Sequence, residues 1–136
     1  GFEIVATGVN SASDIPQAAA SLVTKVDCVN NFTDNNVVDN LQVLLGAAND
    51  AGIPVYGSEI QQVKNGCLAS ETIDYVNLGE VTGAMVAKIL NGENASDIPV
   101  GVISQSYPVI NTEVAEKFNI TIPDAYASAE RVATAK

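Results

Sequence analysis

The sequence has 136 residues, of which 47% are apolar and 16% are charged, and its formal net charge is −10 with no histidine. The apolar content excludes a disordered tail, and the acidic balance argues against nucleic acid or an anionic membrane surface as a partner, because both attract Lys and Arg. The lack of His excludes a Cys–His nucleophile and His-ligated metals, and no apolar run reaches the roughly 18 residues of a membrane-spanning helix.

Predicted strands and helices alternate along the chain. Segments with period-2 alternation or short apolar runs predict strands at residues 3–8, 27–32, 54–57 and 68–70. Helical spacing of apolar residues predicts helices at 11–25, 36–51, 75–92 and 112–119, with a weaker one at 123–135. The segments 99–104 and 106–111 are predicted to be extended. We expect the two cysteines, Cys28 and Cys67, to be buried free thiols because both have apolar neighbours.

Individual residues predict where the helices begin and end. Ser13 or Asp14 is placed to cap the first helix, because a short side-chain oxygen accepts from the free N–H groups of a first turn. Gly52 is predicted to end the second helix. Gly79 and Gly83 lie four residues apart, so they would let another element approach that face of their helix.

Alternating strands and helices are typical of a parallel sheet covered by helices, in which ligands bind beyond the carboxyl ends of the strands. Three polar clusters follow predicted strands, at 31–36 ("NFTDNN"), 57–59 ("GSE") and 71–75 ("ETIDY"). We expect them to converge at one edge. Two alternatives are structural. Either Asp34 or Asn35 would cap one helix and Asp74 another, and Ser58 and Glu59 would form a solvated loop.

Several longer segments carry a resemblance: "VDCVNNFTDNNVV", "AGIPVYGSE", "VKNGCLASETIDYVNLGEVTGAMVAKILNGENASDIPV" and "INTEVAEKFNITIP". They resemble, in the same order, the solute-binding proteins of a bacterial ABC transporter family that includes tryptophan- and tyrosine-type uptake systems. The resemblance implies one lobe of a periplasmic-binding-protein type I fold: an α/β, Rossmann-like parallel sheet flanked by helices. It also implies an extracytoplasmic receptor, periplasmic or lipid-anchored, that passes a small solute to an ABC permease.

Carried over by position, the resemblance implies that the ligand-binding residues are Thr33, Asp34, Asn35, Ser58, Glu59, Asp74 and Tyr75. The implied solute is an amino acid, possibly aromatic. An aspartate would pair with its ammonium, and the Thr33 hydroxyl would take its carboxylate or a water. Tyr75 or Tyr56 would flank an apolar side chain. The resemblance implies no catalytic residue, no metal and no cofactor.

The chain departs from the family in what it lacks. The first lobe and the opening strand and helix of the second are absent, so we expect a truncated piece beginning at Gly1. Residues 1–106 would form a partial C-terminal lobe, and 107–136 a hinge-crossing and C-terminal helical segment. The apolar surface left uncovered predicts a homodimer of the fragment.

Two other functions remain open from the sequence. The same fold, by analogy alone, serves as the ligand-sensing domain of regulators and receptors. An enzyme using two carboxylates, such as Asp34 and Glu59, for acid–base chemistry is the third hypothesis. No nucleophile–base pair is visible, and "GVNSAS" lacks the glycines of a phosphate-binding loop.

Overall fold

A computed structural model describes residues 1–135 of the protein. The helices are α1 (Ile15–Leu22), α2 (Asn35–Asp39), α3 (Leu41–Ala51), α4 (Ile60–Lys64), α5 (Tyr75–Leu90) and α6 (Thr112–Lys117). The strands are β1 (Val29–Asn30), β2 (Val55–Tyr56), β3 (Ala69–Ile73), β4 (Ser106–Asn111) and β5 (Glu130–Val132). Short 3-10 helices lie at Ala12–Asp14, Ala95–Asp97 and Asp124–Tyr126. Among these helices, none is long and apolar enough to cross a membrane.

The chain divides into two compact units. The main unit contains residues 1–72 and the chain from Pro108 onwards. The inserted unit contains residues 73–107. The C-terminal part of the chain therefore folds with the main unit.

Parallel strand pairs form the frame of the main unit. β1 pairs with β2 in parallel, with Val29 opposite Val55 and Asn30 opposite Tyr56. β3, β4 and β5 are neighbours in that order, and β4 pairs with β5 in parallel. The predicted α/β architecture with parallel strands flanked by helices is confirmed.

The larger core cluster of the main unit lies on one face of β1 and β2. Val29 and Val55 point into it from the strands, and α1 and α3 cover them. The buried residues of this cluster are Ala19, Val29, Leu41, Leu44, Leu45, Ala48, Val55 and Cys67. Each fully buried Val or Leu contributes about 1.5–3 kcal/mol, so this cluster holds the carboxyl ends of β1 and β2 in place.

The predicted strand at residues 3–8 is wrong. Residues 1–9 have no regular structure, and the side chains of Phe2 and Ile4 are 100% and 88% exposed. The alternation of apolar residues is present, but a strand forms only where a neighbouring strand accepts its hydrogen bonds. Within the described chain, no strand pairs with this segment.

Three other predictions are corrected. The helix at 36–51 is two helices, because Asn40 leaves helical geometry at φ −114° and ψ 21°. The terminal helix at 123–135 is instead a 3-10 turn followed by β5, which finds hydrogen bonds along β4. The segment 99–104 has no strand, whereas 106–111 is β4. Gly52 ends α3 in the left-handed conformation, as predicted, with φ 73°.

The inserted unit is built around α5. None of the residues of α5 is buried, and Val76 and Leu90 are 73% and 81% exposed. Within the described residues, nothing lies within 4 Å of a Cβ built at Gly79 or Gly83. The face predicted for a close approach is therefore open.

Candidate functional site

Two polar loops meet at the carboxyl ends of β1 and β2. Thr33 lies in the loop after β1 and Ser58 in the loop after β2, and their side-chain oxygens, Oγ1 and Oγ, are 2.7 Å apart. Thr33 is exposed and Ser58 is half-buried. Because the parallel register places both loops at one edge, the predicted convergence of these two clusters is confirmed.

Asp34 and Asn35 follow Thr33 at the start of α2. Asp34 caps this helix, since its Oδ1 accepts from the N–H of Val37 at 3.3 Å. Asn35 is the first residue of the helix and is exposed. The structural interpretation of Asp34 as a cap is confirmed, and its role with a ligand stays a prediction.

Glu59 also caps a helix rather than forming a solvated loop. Its Oε1 and Oε2 accept from the N–H groups of Gln62 and Gln61 at 2.6 and 2.7 Å, at the start of α4. Charge-assisted bonds of this kind are stronger than neutral ones. Both oxygens of the carboxylate are thus engaged by the backbone, and this leaves Glu59 less available than Asp34 for another group.

Asp74 and Tyr75 belong to the inserted unit. Asp74 Oδ1 accepts from the N–H groups of Val76 and Asn77 at 2.9 and 3.1 Å, so it caps α5 as the structural alternative proposed. Tyr75 begins the helix and is 50% exposed. Their convergence with the loops of the main unit stays a prediction.

Two buried amides behind the loops were missed by the sequence analysis. Asn31 is 5% exposed and Gln62 is 0% exposed, and Asn31 Nδ2 donates to Gln62 Oε1 at 3.1 Å. The available signal was strand alternation. Val29 is buried and Asn30 is exposed, so Asn31 returns to the core side, where a polar side chain must find a partner.

An apolar trough of about 580 Å³ lies in the main unit beside Ser58. Phe32, Tyr56, Ile122 and Tyr126 are among the residues that line it. Burial raises the pKa of the Tyr56 phenol, and the neighbouring Cys28 and Tyr126 raise it further. The phenol therefore stays neutral at ordinary pH. Ser70 also lines the trough, and its buried Oγ has no hydrogen-bond partner among residues 1–135.

The two free cysteines differ in environment. Cys67 is fully buried, and burial raises its pKa to about 12, with a further increase from the charge of Glu59. Cys28 is exposed, contrary to the prediction. Within residues 1–135, no three Asp, Glu or Cys side chains are grouped so as to hold a metal ion.

The fold is an α/β unit with polar loops at the carboxyl edge of its parallel strands, and comparison with known proteins gives its family. The model of the family "ABC transporter substrate binding protein" matches residues 1–132, so the chain belongs to this family. A tyrosine-binding protein of Clostridioides difficile is 35% identical over 112 residues, which are 82% of this chain.

Solved structures show the same fold. An ABC domain from Streptococcus pneumonia, in complex with L-Trp, is 31% identical over 97% of this chain with a TM-score of 0.90. A conserved domain protein of Vibrio cholerae is 32% identical over 99% of the chain with a TM-score of 0.88. A ligand-free, open substrate binding protein with adhesive properties from Clostridium difficile is 32% identical over 99% of the chain with a TM-score of 0.73.

The chain is shorter than these relatives. It spans 32% of the length of the tyrosine-binding protein and 45% of each of the three solved chains.

Proposed function

We propose that this chain is part of the solute-binding receptor of a bacterial ABC importer and that its solute is an aromatic amino acid. The observation that carries the proposal is the pair of hydroxyl groups of Thr33 and Ser58, 2.7 Å apart, at the carboxyl edge of the parallel strands. Two relatives support the solute class: one is named a tyrosine-binding protein and another was solved with L-Trp.

The edge offers the groups that a zwitterionic amino acid requires. The Thr33 hydroxyl is exposed, and a hydroxyl group can donate to a carboxylate. Asp34 is exposed beside it, and its carboxylate would attract the ammonium group. Asn35, Ser58 and Glu59 complete this edge, and the ligand roles of Asp74 and Tyr75 stay predictions.

The apolar trough has a different role in this proposal. Parallel sheets are buried on both faces, and α1 and α3 cover only the face that carries Val29 and Val55. The trough includes the opposite side, where Asn30 and Tyr56 lie. We assign it to packing against the remaining length of the receptor, because the chain spans 45% of its solved relatives.

The proposal includes no chemical step. The receptor would release its amino acid unchanged to an ABC permease, outside the cytoplasm, in either a periplasmic or a lipid-anchored form. The family is described as the substrate-binding proteins of ABC transporters, which supports that role.

Calorimetry on the full-length polypeptide that carries this chain tests the proposal. We expect L-tyrosine or L-tryptophan to bind, and L-alanine and L-lysine to bind at least 100-fold more weakly. Failure to bind any aromatic amino acid would refute the proposed solute.

Asp34→Ala separates binding from capping. We expect binding to weaken by more than 10-fold, because the ammonium loses its counter-charge, while losing the cap destabilises the fold by only about 0.5–2 kcal/mol. Asp39→Ala is the matched control, since Asp39 is exposed at the other end of the same helix. Unchanged affinity together with a lower melting temperature would leave Asp34 with the cap role alone.

A further inference from the structure

Gln62 is a fully buried amide to which the proposed function gives no role. It lies in α4, and its Oε1 accepts from Asn31 Nδ2 and from the backbone N–H of Ser58, both at 3.1 Å. A backbone N–H only donates, so the atom that faces it must be the oxygen of the amide. The orientation of the Gln62 side chain is therefore fixed, and its Nε2 is the atom 3.4 Å from Ser58 Oγ.

The absence of a side chain at Gly57 makes room for this amide. A Cβ built at Gly57 would lie 2.9 Å from Gln62 Cβ and 3.0 Å from Gln62 Oε1. Both distances are too short for unstrained contact. The Gln62 side chain thus lies directly against the backbone that leads from β2 into Ser58, and it cannot rotate freely.

These contacts bear on which of the two hydroxyl groups donates to the other. Gln62 Nε2 has only hydrogens to offer, so it donates to Ser58 Oγ. The Ser58 hydroxyl keeps one hydrogen and one lone pair, so the 2.7 Å bond to Thr33 Oγ1 can run in either direction. When Ser58 donates, Thr33 accepts, and the hydrogen of Thr33 is free to point outward from an exposed position.

We propose that Gln62 is a positioning residue that makes the Thr33 hydroxyl a hydrogen-bond donor, and that this donor selects solutes with a carboxylate. The inference rests on the proposed function and deepens it. If the direction were reversed, Thr33 would donate to Ser58 and would present only lone pairs outward. An outward lone pair suits an ammonium, whereas an outward hydrogen suits a carboxylate, which only accepts.

Gln62→Glu reverses this direction with little change of shape. When the new carboxylate is ionised, the oxygen that replaces Nε2 has no hydrogen, so Ser58 must donate to it, and Thr33 must then donate to Ser58. Gln61→Glu is the matched control, because it adds the same charge one residue away at an exposed position of the same helix. Thermal melts of both variants report whether the added charge affects folding.

The readout is binding of L-tyrosine compared with tyramine, which lacks the carboxylate, measured by calorimetry on the full-length polypeptide. L-Tryptophan and tryptamine form a parallel series. We expect Gln62→Glu to weaken amino-acid binding by roughly 10- to 100-fold, the effect of one hydrogen bond to a charged group. We expect less than a 3-fold change for the amine. Gln61→Glu should change neither affinity.

A double-mutant cycle isolates the proposed relay. Thr33→Val removes the outward hydroxyl, and it should produce the same selective loss of amino-acid binding. In the double variant we expect no further loss, because both changes act through one hydrogen. If Gln62→Glu does not fold, Thr33→Val alone tests whether the Thr33 hydroxyl selects solutes with a carboxylate.

Three results would overturn the inference. Equal losses of affinity for the amine and for the amino acid in Gln62→Glu would indicate a structural role alone. Additive losses in the double variant would show that Gln62 does not act through Thr33. Wild-type protein that binds no aromatic amino acid would refute the proposed function, and with it this inference, and is distinguishable from the first two results.

Discussion

Gly57→Ala should destabilise the main unit, since this position has no room for a methyl group. The new Cβ would lie 2.9 Å from Gln62 Cβ and 3.0 Å from Gln62 Oε1, whereas carbon atoms prefer about 3.5–4.0 Å. Overpacking of this kind costs about 1–3 kcal/mol. Moving Gln62 also weakens two accepted hydrogen bonds, each worth roughly 0.5–1.5 kcal/mol. The total expected loss is roughly 2–6 kcal/mol.

Gly46→Ala supplies a control of opposite sign. Gly46 lies inside α3 with nothing within 4 Å of a built Cβ, so alanine should stabilise the helix by about 0.5–1 kcal/mol. Urea unfolding followed by circular dichroism measures both variants, and we expect the midpoint of Gly57→Ala to fall by about 1–2 M. A midpoint for Gly57→Ala equal to or above that of the wild type would refute the packing argument.

Other positions in the main unit give further predictions. Asn111→Ala should cost roughly 2–4 kcal/mol in urea unfolding, because the fully buried amide donates to Val63 O and accepts from Val114 N, and both would lose a partner. Cys28 should react with a thiol reagent in the native protein, and Cys67 should react only after unfolding; equal rates would contradict this. The pKa of Cys67 is raised from 9.0 to about 12. The stability that depends on the protonated thiol should therefore be complete below pH 9 and should be lost between pH 9 and 12. Unfolding of Cys67→Ala should lack this pH-dependent loss.

The sequence was sufficient to predict features that depend on local chemistry. Asp34 and Asp74 cap helices, and Gly52 ends one, because each role depends on a side chain and its nearest backbone groups. Parallel pairing of the segments after Val26 also followed from the alternation of strands and helices.

Features that depend on distant partners were not predictable. Residues 3–8 have the pattern of a strand but no neighbour within the described chain, while residues 130–132 form a strand because β4 lies beside them. Gln62 looks like an ordinary surface glutamine until Gly57 and Asn31 are placed around it. Local propensity is a weak guide wherever tertiary contacts decide the outcome.

The inserted unit also delays contacts between the two parts of the main unit during synthesis. The Asn111 side chain donates to the carbonyl of Val63, 48 residues earlier in the chain, with the whole of residues 73–107 between them. At about 5–20 residues per second, a ribosome needs roughly 2–10 s to cover that distance. After β3 has been synthesised and until β4 emerges, the edge of β3 that will pair with β4 is unpaired and is open to other chains. Slower translation across this segment would lengthen the wait, so the yield of folded protein should depend on how quickly the inserted unit is made.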